Sequence, residues 1–414
     1  MKKRKLLGLL ICGVALVLLL SRTQTNTPRA VQIERKRALN PEGFSGGNRT
    51  STIIYQFFLS ENLCYSSGAC TYGSYKLPEQ LSKHANNEVR HIGFLKVHKA
   101  ASTTMQNMFF RFGMARNLSF VFTYHPNYFS REASRHLPVI RPRFRNGYDI
   151  LCNHAVFNIS TFSRLLPSDT RYIAIVRDPL DLFISSVNFY SQKSQLIRYI
   201  GAVPGNKVQN LIRNPRYDRE FFSYTKNAMA RDFGFPKSED VDIVKNKLGE
   251  LNSIFTVVLI VEHFEESLIL MKRYLSWKVR DIIFIANNVR TQNGYSINDL
   301  SLLDVNMFRN RNKLDYVVYR FFFERFWRQF EAESNDIHLE VLNFKKILKE
   351  VSAFCNSGSI KENVNEPLHM LETRWNEQFN ITYDDCAFMI TDELTFIEIL
   401  RAKQGSELPR RFRG

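Results

Sequence analysis

The chain has few of the features that mark a metal-bound or disulfide-framed module. It holds six cysteines in 414 residues. None stands in a Cys-x-x-Cys pair or at a His/Cys spacing that suits zinc, so no metal is expected. It lacks the Gly-x-x-x-x-Gly-Lys-Ser/Thr loop, and no metal-binding acidic pattern accompanies it, which argues against a nucleotide kinase. There is no internal repeat. Acidic side chains are scarce: 40 Asp and Glu face 57 Lys and Arg, a net charge of +17. That balance suits an anionic partner, whether nucleic acid, a membrane surface or a polyanionic cofactor or product, and it also fits simple solubility. At 44% hydrophobic and 23% charged residues the chain can bury a large core. Its length could hold two or three average domains.

One long uncharged run is present. MKKRK precedes Leu6 to Leu20. Fifteen helical residues span about 22 Å, short of a ~30 Å hydrocarbon core, but flanking residues and thin early secretory membranes narrow the gap. Ser21-Arg22-Thr23 offers no clear small-residue cleavage site, so an uncleaved signal anchor is preferred to a cleaved signal peptide. The basic cluster predicts a cytoplasmic N-terminus and a lumenal remainder. The expected division is a tail (1–5), an anchor (6–21), a polar stem (22–60) and a folded domain (61–414) with a C-terminal helical extension. Asn-X-Ser/Thr acceptors at Asn48, Asn117, Asn158 and Asn380 fit a lumenal body. With Cys12 in the anchor, five cysteines remain. Proximity in sequence suggests Cys64 with Cys70 and Cys355 with Cys386, leaving Cys152 as a buried thiol.

From about residue 90 the pattern is α/β. IGFLKV (92–97), YDILC (148–152), RYIAIV (171–176), FTVVLIV (255–261) and DIIFIA (281–286) read as strands. Helices are expected after Ser102, after Asp178-Pro179 (an N-cap followed by proline at the first helical position), at about 264–275, and at 316–330. Such alternation implies a mainly parallel sheet covered on both faces. Ligands in such sheets bind beyond the carboxyl ends of the strands.

Two strand ends carry the chemistry. In FLKVHKAASTT the turn His98-Lys99-Ala100-Ala101 leads into a helix opened by Ser102, Thr103 and Thr104. Free N–H groups, hydroxyls and Lys99 suit an anion there. Taken alone, the segment reads better as a Ser-capped helix with a solvated lysine. In IVRDPLDLFISS, Arg177 ends a strand and Ser185 follows eight residues later, two turns into the next helix. Arginine suits bidentate phosphate recognition, although Arg177 could instead pair with Asp178 or another carboxylate. Two anion sites at neighbouring strand ends suggest a ligand with two separated phosphates.

Together these segments resemble the sulfotransferases that use 3′-phosphoadenosine 5′-phosphosulfate (PAPS). Lys99, Ser102, Thr103 and Thr104 match the 5′-phosphosulfate loop, and Arg177 with Ser185 matches the 3′-phosphate site. FLKVHKAASTTMQNMFFRFG, ILCNHAVFN, VRDPLDLFISSVNFY and VEHFEESLILMKRYLSW narrow the likeness to the galactose-3-O-sulfotransferases, over roughly residues 90 to 335. The resemblance implies a P-loop-like sulfotransferase fold for 61–414 and a single-pass type II Golgi membrane enzyme. It implies transfer of sulfate from PAPS to the 3-hydroxyl of a β-galactosyl glycolipid, such as galactosylceramide, or of a glycan. It implies no metal and no nucleic-acid partner, and a homodimer is a candidate assembly. His154 matches the base histidine of related membrane-bound sulfotransferases; by itself it would read as a hydrogen-bonded core histidine. Lys99 would stabilise charge on the bridging and leaving oxygens. His98 ranks below His154, because its side chain is expected to point the other way. Ala100-Ala101 departs from the Gly or Ser often found in relatives, so Ala101 would contribute backbone. Arg290, in NNVRTQNGY, lies near where related enzymes close a loop over the nucleotide and is a weaker candidate contact; by itself it reads better as a solvated surface arginine.

Two other readings stand beside this one. A uronyl or heparan-type 2-O-sulfotransferase would share the nucleotide site and fit the net positive charge. A catalytically silent glycan-binding relative would keep the fold without making product.

Overall fold

The computed structural model describes residues 84–125, 127–130, 139–142, 147–192, 198–218, 223–286, 294–357 and 366–405. The expected tail, anchor and stem, the acceptor Asn48, the pair Cys64 and Cys70, and Arg290 lie outside these residues. Among the described residues no helix is long and apolar enough to cross a membrane.

The centre is a four-stranded parallel sheet. Its strands are β1 (Ile92–Leu95), β2 (Ile150–Leu151), β3 (Arg171–Val176) and β4 (Phe255–Ile260), in the order β2-β1-β3-β4. β1 and β4 are buried along their whole length, as expected where both faces are covered. Ile92 pairs with Arg171 and with Ile150, and Ala174 pairs with Val258, so the carboxyl ends of β1, β3 and β4 lie side by side. Gly93 lets β1 and β3 close up: a Cβ there would sit 2.5 Å from the Tyr172 ring.

Helices follow the strands as the sequence pattern requires. α1 (Ser102–Ala115) follows β1 and buries Met105, Met108, Phe109 and Phe112. α2 (Pro179–Gln192) follows β3; Asp178 Oδ1 accepts from the N–H groups of Leu180 and Asp181 at its start. α3 (Ala228–Asp232) is a single short turn. α4 (Phe264–Leu275) follows β4, and α5 (Lys313–Glu331) packs its aromatic face against β4. α6 (Ile337–Ser357) packs on α4.

The C-terminal segment is built into the domain rather than appended to it. α7 (Tyr383–Ile390) and α8 (Glu393–Lys403) both pack on α1. Asn107 Nδ2 donates to the Phe388 carbonyl at 2.9 Å, and Arg401 donates to the carbonyls of Thr123 and His125. A Cys355–Cys386 disulfide ties α6 to α7, as proximity suggested, while Cys152 is a buried free thiol.

Three expectations need correction. Residues 281–286 are not a strand: Val279–Ile282 is a helical turn and an irregular segment follows. Ile282 and Ile283 are fully buried, and the Ile283 carbonyl accepts from Arg111 of α1. A short apolar run reads alike for strand and buried helix. The run at 148–152 yields only two strand residues, and β1 stops at Leu95, two short of Val97.

The disulfide closes a 31-residue separation. Loop-closure entropy for that length is worth about 3–4 kcal/mol. Replacing both Cys355 and Cys386 by Ser should lower the unfolding free energy by roughly that amount in urea titration.

Candidate active site

Four consecutive residues past β1 are each held by a different part of the fold. Lys96 is fully buried, with Nζ donating to Gln106 Oε1 at 2.6 Å and lying 2.6 Å from Glu393 Oε1 of α8. Burial lowers the lysine's pKa, and the Glu393 carboxylate opposes that fall. The Val97 carbonyl accepts from the Ser102 hydroxyl at 2.5 Å. The His98 N–H and Nδ1 both reach Asp232 Oδ2, at 2.9 and 2.8 Å. The Lys99 carbonyl accepts from Arg177 Nη1 at 3.0 Å.

The turn itself is strained. Lys99 (φ 60°) and Ala101 (φ 51°) both take the left-handed conformation. For a non-glycine residue each costs on the order of 1 kcal/mol. The price is a tight reversal that sets the start of α1 at the strand end, where unpaired N–H groups and the helix dipole favour an anion. Ser102 turns its hydroxyl inward to Val97 and is buried, so its backbone N–H is the group left at the helix start. Thr103 is exposed and Thr104 half-buried in the same first turn. Lys99 Nζ rests 3.7 Å from the centre of the Phe189 ring of α2, a cation–π contact that holds it over this end of the sheet.

His154 sits in a short strand, His154–Ala155, beside Tyr128–Ser130. Its Nδ1 lies 2.9 Å from the Lys96 carbonyl. A carbonyl only accepts, so Nδ1 carries the proton and Nε2 keeps the lone pair. Burial, with the charges of His98, Lys96 and Arg231, holds the imidazole well below its ordinary pKa, so it is neutral near pH 7. His98 does not point away from it: the two rings stack at 4.0 Å and 15°. Asp232 holds the His98 ring on the side that faces His154. Beneath them Gln106 Nε2 donates to the Cys152 carbonyl at 3.0 Å and to Asn153 Oδ1, fixing the segment that carries His154.

Arg177 follows β3, and its guanidinium binds the turn rather than Asp178, which caps α2. The nitrogen it spends on Lys99 leaves other N–H donors for a ligand. Ser185 is half-buried on the second turn of α2. The structure thus brings Lys99, Ala101, Ser102, Thr103, Thr104 and Arg177 to adjoining strand ends, with His154 one strand away. No group of His, Cys, Asp or Glu among the described residues could hold a metal ion.

Comparison with known proteins then bears on this arrangement. The galactose-3-O-sulfotransferase family profile matches residues 3–365. The chain belongs to the galactose-3-O-sulfotransferase family. Galactosylceramide sulfotransferase of Homo sapiens is 28% identical over 342 residues, 76% of this chain and 78% of that protein. Galactose-3-O-sulfotransferase 2 of Mus musculus is 29% identical over 282 residues, 64% of this chain and 70% of that protein. The human galactose-3-O-sulfotransferase 2 is 30% identical over 285 residues, covering 66% and 70%. This galactose-3-O-sulfotransferase family member is therefore a sulfotransferase enzyme.

Sequence reasoning missed four groups in the family member's site. Asp232 and Tyr224 surround His98; Glu393 partners Lys96; Phe189 lies under Lys99. Phe189 could have been found, since it falls one turn beyond Ser185. The others lie more than 120 residues from their contacts, and no local spacing announces them.

Ala101 pays for a conformation that glycine adopts freely. Replacing Ala101 by Gly should raise the unfolding free energy by about 1 kcal/mol. A decrease on thermal or urea unfolding would show that the turn carries no such strain.

Proposed function

We propose that the enzyme transfers sulfate from PAPS to the 3-hydroxyl of a β-galactosyl residue on a glycolipid or glycan, with His154 as general base. The carrying observation is the His154 imidazole: neutral, Nδ1–H committed to the Lys96 carbonyl, Nε2 left as acceptor. That nitrogen would take the proton of the galactose hydroxyl as its oxygen attacks sulfur.

The residues fit a bisphosphate donor. The left-handed turn directs backbone N–H groups at one phosphate, and Lys99 can leave Phe189 for an oxygen of the leaving group. Arg177 and Ser185 suit the second phosphate at the next strand end. PAPS supplies an activated sulfuryl group whose S–O bond to the 5′-phosphate breaks as the S–O bond to galactose forms. Lys99 then balances the negative charge left on the departing phosphate, so the chemistry calls for no metal.

The same reading proposes a membrane anchor with a lumenal catalytic domain, supported by the N-terminal run and its basic flank, and a Golgi location, supported by the family likeness alone. The acceptors in the relatives' names, galactose and galactosylceramide, support a galactosyl acceptor.

Lys99→Ala should lower kcat by at least about 10²-fold with the fold intact, read from labelled transfer and circular dichroism. Full activity would remove Lys99 from the mechanism. The base must be neutral to act, and burial depresses its pKa. The acid limb of kcat/KM should therefore fall below pH 6.5, the ordinary imidazole value, and should shift or vanish in His154→Gln.

A further inference from the structure

We propose that Asp232 is a positioning residue for the transfer, acting through His98, whose ring it locks face to face against His154. The inference rests on the assignment of His154 above and concerns a residue that no sequence motif marks.

The contacts are one-sided in a telling way. Asp232 is almost wholly buried, and a single oxygen, Oδ2, takes both the backbone N–H and Nδ1 of His98. Its other oxygen, Oδ1, takes Arg231 Nη2 at 3.0 Å and Nε at 3.3 Å. Burial alone would raise the carboxyl pKa, but His98 and Arg231 outweigh it and hold it at about 2. The group is thus an anion at every working pH. An anion facing Nδ1 makes that nitrogen the donor. Two contacts to one oxygen also fix the ring plane, because the backbone N–H and the ring move together.

The carboxylate is itself anchored from behind. α3 is only five residues long and could not hold a charge in place unaided. Ala230 N–H donates to Asp315 Oδ1 of α5 at 2.7 Å, and Asn227 N–H donates to Asn312 Oδ1 at 2.8 Å. Arg231 Nη1 is tied to the Ser223 carbonyl at 2.7 Å and its guanidinium lies 4.8 Å from the Tyr224 ring centre. Tyr224 in turn meets the His98 ring edge-on at 5.3 Å. The groups facing His98 are therefore His154, Tyr224, Asp232 and, through Asp232, Arg231.

The consequence is geometric. His154 has one ring nitrogen on the Lys96 carbonyl and one ring face against His98. Remove the grip on His98 and that face loses its wall. The base then samples rotamers in which Nε2 no longer meets the acceptor oxygen, and misplacement of about 1 Å costs on the order of 10²-fold in rate.

The test is a double-mutant cycle with Asp232→Asn and His98→Asn, using PAPS and a galactoside panel, with melting temperature measured in parallel. Asp232→Asn should lower kcat by about 10²-fold. It should leave KM for PAPS within about 3-fold, and it should add little in the His98→Asn background. A full additive loss in that background, or an unchanged kcat, overturns the proposal. If Asp232→Asn does not fold, or the wild type sulfates no galactoside, the histidine ring nitrogens of the wild type decide by 15N NMR. His98 protonated at Nδ1 and neutral His154 protonated at Nδ1 support the arrangement; His98 protonated at Nε2 alone overturns it. An inactive wild type would count against the acceptor assignment alone.

Discussion

The site depends on how one strand ends. Residues 96 to 99 leave β1 and are claimed in turn by α8, by the start of α1, by α3 and by the residue after β3. Each claim is a hydrogen bond or ion pair in a largely buried setting, where an unmade partner costs more than a made one gains. The left-handed residues Lys99 and Ala101 persist because these neighbours over-determine them. Helix start, lysine, arginine and two imidazoles are thereby set at one end of the sheet.

This explains why segments far from the chemistry belong to it. α8 lies nearly 300 residues after β1, yet its Glu393 lies against the buried Lys96. The same lysine's carbonyl fixes the His154 tautomer. The Asn107 contacts hold α7, and with it the start of α8, against α1, while the disulfide ties α7 to α6. A buried lysine whose partner is removed is a costly group, so changes at Glu393 reach the site through stability and through the strand end together.

Much of the architecture was legible because it is local. RYIAIV and FTVVLI are continuous apolar runs, and each became a buried parallel strand. Asp178-Pro179 announced α2 by cap and φ preference, and the Phe-rich stripe at 316–330 became the helix over β4. DIIFIA failed because four to six apolar residues carry too little periodicity to separate a strand from a buried turn. The half of the candidate site that holds Lys99 and Arg177 was legible as two strand-to-helix junctions. His154 was named through the family likeness, but the groups around it were not legible. Asp232 meets His98 across 134 positions, and the stack of His98 on His154 depends on a backbone reversal that no residue type reports.

The position that receives the sulfate decides the function. The most direct measurement is NMR of the product formed from PAPS and a β-galactoside by the purified enzyme, reading which ring carbon shifts on sulfation. A downfield shift at galactose C3 and its proton, absent from His154→Gln incubations, is the expected result. Sulfate on another hydroxyl, or transfer only to uronic acid in desulfated heparan, would contradict it.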